Sequence, residues 1–420
     1  MTESGNPDQS ADANVTSYEA SHIHVLHGVE AVRKRPGMYV GSTGERGLQE
    51  LVYTAVDFAV DEVLAGHADT VDVTITSDGG GVRVADNGRG IPVAVEASTG
   101  KPAVETVLTE VRTGTRPSAA GYPVTGSRSG VELPIVTALS SRLTVEIRRD
   151  GFRWSQEYER GVPVAPLTQH EETTEHGTTI TFWADPDVFS TTQYTFTLLS
   201  RRFQELAFLV EGLTMSLTDE RPERTGGPGE AEAARTLYDG GVRDFMAHLR
   251  SGEDDLLHPG VIGFGDENEE KTLSVDIALQ WSASSQDRVH SFGNTHSTPE
   301  GGTHEQGFLS ALATLITTHA RTRQLLPECD ELSADDIREG LTAIISVKHR
   351  HPEYEGCTRG RLANPEVRPY VENVVRGHMT TWLDHHPDEA DAIVRHAIGA
   401  ATARKASGEA GVRPGPEHGR

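Results

Sequence analysis

Two cysteines, Cys329 and Cys357, are all that 420 residues contain, so neither a disulfide framework nor a cysteine zinc site underlies this chain. Long apolar runs are missing too. No stretch reaches the roughly 18 apolar residues of a membrane-spanning helix, which excludes a helical integral membrane protein. The polar, acidic start has neither the basic opening nor the apolar run of a secretory signal, and a cytoplasmic protein is expected. Lysine is scarce, five against 33 arginines, a skew expected of a GC-rich genome rather than of function. Positive charge as a whole is short: 38 basic residues face 63 acidic ones, a net charge of −25 at pH 7. That balance argues against wholesale binding of a phosphate backbone, leaves room for one local basic patch, and has solubility as its simplest consequence.

What is present fits a soluble globular protein of two to three domains, with 36% hydrophobic and 24% charged residues. Residues 1–16 lack apolar periodicity and read as a disordered lead. From Ser21 onward Ile23, Leu26, Val29, Ala31 and Val32 recur at helical spacing, and a loop is expected at Arg35-Pro36-Gly37-Met38 and Gly41. A second helix is predicted over 47–65. A β-hairpin follows, with strands 71–76 and 81–85. Strands are expected at 143–149, 152–159 and 178–183, and a helix at 195–210. The Gly-, Pro- and acid-rich stretch 223–235 is read as a linker between a first unit over 17–222 and a second over 236–405. In the second unit the pattern predicts strands at 273–280 and 288–295, helices at 305–324 and 334–342, a strand at 343–348 and one last helix over 365–403. Residues 406–420 read as a tail. No internal repeat is evident.

Several strings are specific enough to identify a family. Ser17-Tyr18-Glu19-Ala20-Ser21 precedes Gly28-Val29-Glu30-Ala31-Val32-Arg33-Lys34-Arg35-Pro36-Gly37-Met38-Tyr39-Val40-Gly41, and Asp86-Asn87-Gly88-Arg89-Gly90-Ile91-Pro92 lies downstream. Phe182-Trp183, Leu217-Thr218-Asp219-Glu220-Arg221, Glu300-Gly301-Gly302-Thr303-His304-Glu305 and Asp336-Ile337-Arg338-Glu339-Gly340 follow in order. Over roughly residues 17–400 this resembles the DNA gyrase B family. The resemblance implies an α+β architecture: a GHKL (Bergerat) α/β sandwich ATPase-like domain followed by a ribosomal-S5-like transducer, as in the ATPase half of a type IIA topoisomerase. The family's metal-binding TOPRIM signature, Glu-Gly-Asp-Ser, is not found up to Arg420. A complete, DNA-cleaving protein is therefore not expected.

The resemblance also implies a nucleotide site. Asp86 would accept from the exocyclic amine of adenine, Gly88 and Gly90 would let the backbone approach the ring, and Arg89, Ile91 and Pro92 would complete the loop. Thr178 matches the threonine that supports the carboxylate. Gly126 and Gly130 match lid glycines near the phosphates, Arg359 the transducer cation, and Tyr18 the N-terminal arm that crosses to a partner protomer.

Other positions depart from the pattern. The family helix reads Glu-Val-Val-Asp-Asn-(Ser/Ala)-(Ile/Val)-Asp-Glu, its glutamate a general base and its asparagine a magnesium ligand. Here Thr54 stands at the base position and Phe58 at the metal position, on one helix face at about 100° per residue. Threonine is no base near neutral pH and phenylalanine offers no oxygen to a hard cation, so ATP use is expected to be weakened and Mg²⁺ binding to be in doubt. Asp57 and Asp61 are too displaced along the helix to substitute. In the lid, Glu132 replaces a glycine and opposes phosphate, with Arg128 a partial offset. His290, His296 and His304 form no recognised zinc pattern.

Together these readings predict a non-catalytic gyrase-B-like binding or regulatory module. It is expected to form a homodimer or a heterodimer with gyrase B, and to meet gyrase A or DNA through that complex. An aminocoumarin ligand is a further expectation, since Asp86, Arg89, Pro92 and Arg149 match positions used for such drugs. Two alternatives stand beside it: an ATP-hydrolysing protein of the gyrase B type, and an acidic decoy that competes with DNA.

Overall fold

Apolar side chains at helical spacing make α3 (Glu45–Leu64) the central element of the first half of the chain. From Ala55 to Glu62 every residue of α3 is buried, Asp57, Asp61 and Glu62 included, as befits a helix covered on all sides. In this computed structural model the residues described are 28–78, 80–111, 132–221, 232–236, 241–251, 255–268, 273–284, 286–326, 332–356 and 359–410, with backbone alone at 132, 232–236 and 407–410. Tyr18, Gly126, Arg128, Gly130, Cys329, Cys357 and the side chain of Glu132 lie outside them.

Before α3 come α1 (Gly28–Lys34) and α2 (Gly37–Val40). The hairpin of β1 (Thr70–Ile75) and β2 (Val82–Asp86) follows, then α4 (Ala103–Thr109) and α5 (Glu132–Ala138). The sheet continues with β3 (Ser140–Arg149), β4 (Phe152–Glu159), β5 (Val162–Pro163), β6 (Thr168–Glu172) and β7 (Gly177–Ala184). Next are α6 (Phe196–Leu209), β8 (Thr214–Asp219) and β9 (Glu232–Thr236). The nine strands order as β5-β4-β3-β7-β2-β1-β8-β9, with β6 beside β4. All pairs are antiparallel except β1 with β8. Residues alternate as a half-covered sheet requires: Val71, Val73, Val84, Val145, Ile147 and Ile180 are buried in one core with Leu48, Val52 and Phe58 of α3.

The second half contains α7 (Gly241–Leu249), β10 (Ile262–Asn268), β11 (Leu273–Trp281), β12 (Arg288–Gly293), β13 (His296–Ser297) and α8 (Thr303–Thr322). It continues through α9 (Ala334–Arg338), β14 (Leu341–His349), the hairpin β15 (Tyr354–Glu355) and β16 (Arg361–Leu362), and α10 (Val367–His385) and α11 (Pro387–Ala410). Its five-stranded sheet orders as β10-β11-β14-β12-β13 and has its own core with α8 and α10. A smaller apolar cluster joins the halves: Phe208 of α6 stacks on Phe245 of α7 at 4.9 Å, with Phe292 and Ile344 behind. Among the described residues no helix is long and apolar enough to cross a membrane.

The structure corrects several expectations. Pro36 starts a helical turn instead of ending one. Its φ of −58° and missing N–H suit the opening of a helix, and α2 closes at Gly41, whose φ is 77°. The predicted helix 334–342 stops at Arg338, because Gly340 (φ 74°) turns the chain and a Cβ there would meet Ser282 O at 2.2 Å. The predicted single last helix is two: His386 leaves helical geometry (φ −127°, ψ 58°) ahead of Pro387, as the residue before proline tends to do. The last residues of the stretch read as a linker belong to β9, which pairs with β8 of the first sheet.

Candidate functional site

Asp86 ends β2 and is 7% exposed. Its Oδ1 accepts the backbone N–H of Gly88 at 2.8 Å and that of Thr178 at 3.3 Å. Burial pushes the carboxyl up to about 7; those two N–H donors oppose the rise and Glu62 adds to it. The hydroxyl of Thr178 does not reach this carboxylate but accepts from Ile91 N–H at 3.1 Å, fixing the loop beyond it.

The loop after Asp86 is held from both sides. Glu62 of α3, 2% exposed, takes three bonds from Arg89: the backbone N–H at 3.1 Å, Nε at 3.1 Å and Nη2 at 2.8 Å. Arg149 of β3 donates to Gly90 O at 2.7 Å, and His176 Nδ1 lies 2.8 Å from Gly88 O. Gly88 packs so closely on α3 that a Cβ there would stand 2.9 Å from Glu62. Gly177 is tighter still. Its φ is 132° and a Cβ would come 2.1 Å from Asp86 O, so only glycine lets β7 cross β2 here. Gly177→Ala is expected to push the strands apart, break the Thr178–Asp86 bond and lower unfolding stability by more than about 2 kcal/mol, measurable by urea denaturation. Unchanged stability would contradict this packing.

Asp86, Gly88, Arg89, Gly90, Ile91 and Thr178 thus lie together, with Pro92 half-buried beside them. The sequence alone does not mark Glu62, His176 or Gly177 as site residues. The sign was available for Glu62, a buried-face acid ending the same helix run, but its pairing with Arg89 spans 27 residues and emerges only on folding. A depression of about 640 Å³ includes Asp86, Asn87 and His176 in its lining. The rest of its wall includes Asp72, Arg83, Glu146, Arg148 and Thr179, alternate residues on the sheet face turned away from α3.

Phe58 is 4% exposed and part of the apolar core. Thr54 is half-buried and its hydroxyl donates back to Glu50 O at 2.7 Å, a bond closed within its own helix. Arg359 is 5% exposed and contacts His296 through Nη1. Asp57 also faces His296, Oδ2 to Nδ1 at 3.4 Å. His304 is fully buried against Thr298 Oγ1 at 3.1 Å, and burial lowers it to about 4. Among the described residues no group of three or more His, Cys, Asp or Glu side chains is placed to hold a metal ion.

The histidine kinase-, DNA gyrase B- and HSP90-like ATPase family matches residues 43–188, and the DNA gyrase B family matches 241–412. The chain belongs to the DNA gyrase B family. The novobiocin-sensitive DNA gyrase B of Streptomyces niveus is 51% identical over 435 residues, covering 98% of this chain and 63% of that protein. The DNA gyrase B of Streptomyces coelicolor is 51% identical over 436 residues, again covering 98% and 63%. The chain therefore spans a little under two thirds of the length of these gyrase B relatives. Among solved structures, the 43K ATPase domain of Thermus thermophilus gyrase B in complex with an aminocoumarin superposes with a TM-score of 0.71 at 33% identity, covering 91% of this chain and 97% of that one. The fold is accordingly a GHKL ATPase-type domain followed by the gyrase B transducer, as the resemblance implied.

Proposed function

We propose that this gyrase B-family chain is a pseudo-ATPase: it recognises adenine nucleotides but does not turn them over, and it acts as a binding and regulatory module on gyrase. The observation that carries this reading is a contrast within one helix. Glu62 still braces the Asp86 loop through Arg89, while Phe58, one turn earlier, lies in the core and Thr54 bonds its own helix. Adenine would be read by Asp86 accepting from the exocyclic amine, with Gly88 and Gly90 admitting the ring and Thr178 fixing the loop. Gly126, Gly130 and Tyr18 keep the roles that the resemblance gave them. Mg²⁺ does not fit: an aromatic ring among apolar neighbours supplies no oxygen ligand, so no step is routed through the metal. Loss of a general base alone removes about 10²–10⁴ in rate.

The partners we propose are a second copy of this chain or a full-length gyrase B, with gyrase A and DNA reached through that assembly, in the cytoplasm. We also propose that an aminocoumarin occupies the same loop. Arg89 and Arg149 are both pinned around Gly88 and Gly90, and a gyrase B neighbour is an aminocoumarin complex. Calorimetric titration with a non-hydrolysable ATP analogue, paired with an ATP turnover assay in Mg²⁺, tests the reading. Binding without turnover is expected. Turnover at the rate of an ordinary gyrase B would establish the competing view, an ATP-hydrolysing protein of the gyrase B type.

A further inference from the structure

Where the two halves meet, the side chains form a continuous polar chain. His296, the first residue of β13, faces α3 with Nδ1 3.4 Å from Asp57 Oδ2. Its other nitrogen, Nε2, contacts Arg359 Nη1. A guanidinium only donates, so Nε2 accepts and the imidazole proton is assigned to Nδ1, the nitrogen that faces the Asp57 carboxylate. The result is a carboxylate, a neutral imidazole and a guanidinium in series, with opposite charges at the two ends. All three groups are largely enclosed: the side chains of His296 and Asp57 are 15% and 11% exposed, and Arg359 is 5% exposed. Groups buried to this degree lose hydration and need each other.

The backbone around this chain is held in sparsely populated geometry. Asn294, Thr295 and Arg359 have φ of 46°, 73° and 55°. For a β-branched residue such as Thr295 that conformation is an outlier, and it persists only where the surroundings impose it. They do so from both halves. Asn294 binds His349 twice, Nδ2 to its carbonyl at 2.7 Å and Oδ1 from its N–H at 2.6 Å. Arg202 of α6 donates to Thr295 O at 2.8 Å, and Tyr354 donates to Gly293 O at 2.6 Å while its ring stands edge-on to His296.

We propose that Asp57, His296 and Arg359 form a lock that fixes the transducer onto α3, the helix carrying Thr54 and Phe58, with His296 as its positioning residue. Asp57 is then a docking acid and not a replacement base. The lock consists of the chain's own side chains and needs no nucleotide, so it stands or falls separately from the pseudo-ATPase reading.

Hydrogen exchange on the full 420-residue chain tests it, without nucleotide and with the ATP analogue. His296→Leu is expected to speed exchange at 54–60, 292–298 and 354–361 by about tenfold or more while 273–281 in the second core stays protected. His296→Gln, which keeps one donor and one acceptor, is expected to recover most of the protection. Wild-type exchange at the three segments in His296→Leu, or equal acceleration throughout the chain, overturns the lock. Should His296→Leu fail to fold, Arg359→Gln is read by the same criteria. Turnover by the unmodified chain would end the pseudo-ATPase reading without touching this one.

Discussion

Asp86→Asn is expected to make the protein more stable above neutral pH and to abolish adenine recognition. In the folded chain the carboxyl is raised to about 7 by burial, well above its ordinary value. The folded state therefore holds the proton more tightly than the unfolded one. The sign follows: the neutral carboxyl's contribution is fully present below the ordinary carboxylate range and is lost as pH rises through about 7. Asparagine keeps the oxygen that accepts from Gly88 and Thr178 but never ionises. The gain at pH 8 is on the order of 3 kcal/mol, vanishing near pH 4. Urea melts of both proteins at pH 4, 6 and 8 measure it. For nucleotide the effect is opposite, because asparagine brings a donor toward the donating amine and leaves a buried group unpaired. Affinity is expected to fall by about 10²-fold or more. A variant destabilised at pH 8, or one that binds the analogue normally, would contradict the site.

Phe58→Asn is expected to cost about 3–5 kcal/mol of stability, the range for truncating a buried aromatic residue, and about 1–3 kcal/mol more wherever the new amide finds no partner. Thr54→Glu should stay within about 1 kcal/mol, since Thr54 is only half-buried. Restoring the family residues thus separates into a change the fold tolerates and one it resists. The double variant is expected to show turnover above either single variant, by about 10²-fold if the base is the main loss. Thermal and urea unfolding check the first part and a coupled ATPase assay the second. A Phe58→Asn protein as stable as the parent would show that the ring does not complete the core. A fully inactive double variant would place the missing activity elsewhere, with the lid region the next place to look.

Much of the first sheet was legible from local pattern. The hairpin of β1 and β2 follows from strict alternation across a Gly-rich turn, and α3 from apolar residues at helical spacing. Short or polar strands were not legible. β6 (Thr168–Glu172) is almost wholly exposed, and β9 is recognisable only by its pairing with β8. Helix limits went wrong where one residue type has two uses. Pro36 and Pro387 both begin helices, and whether a proline opens or interrupts one depends on its neighbours' path.

By itself the sequence determined the family, through long ordered strings, and which chemical groups stand along α3, because residue identity and helical spacing are properties of one segment. Only the tertiary structure decided that Glu62 braces Arg89, that Gly177 must pass Asp86 without a side chain, and that Asp57 turns to His296. Those partners lie 27, 91 and 239 residues apart, and no local pattern encodes a contact that burial creates when distant segments are brought together.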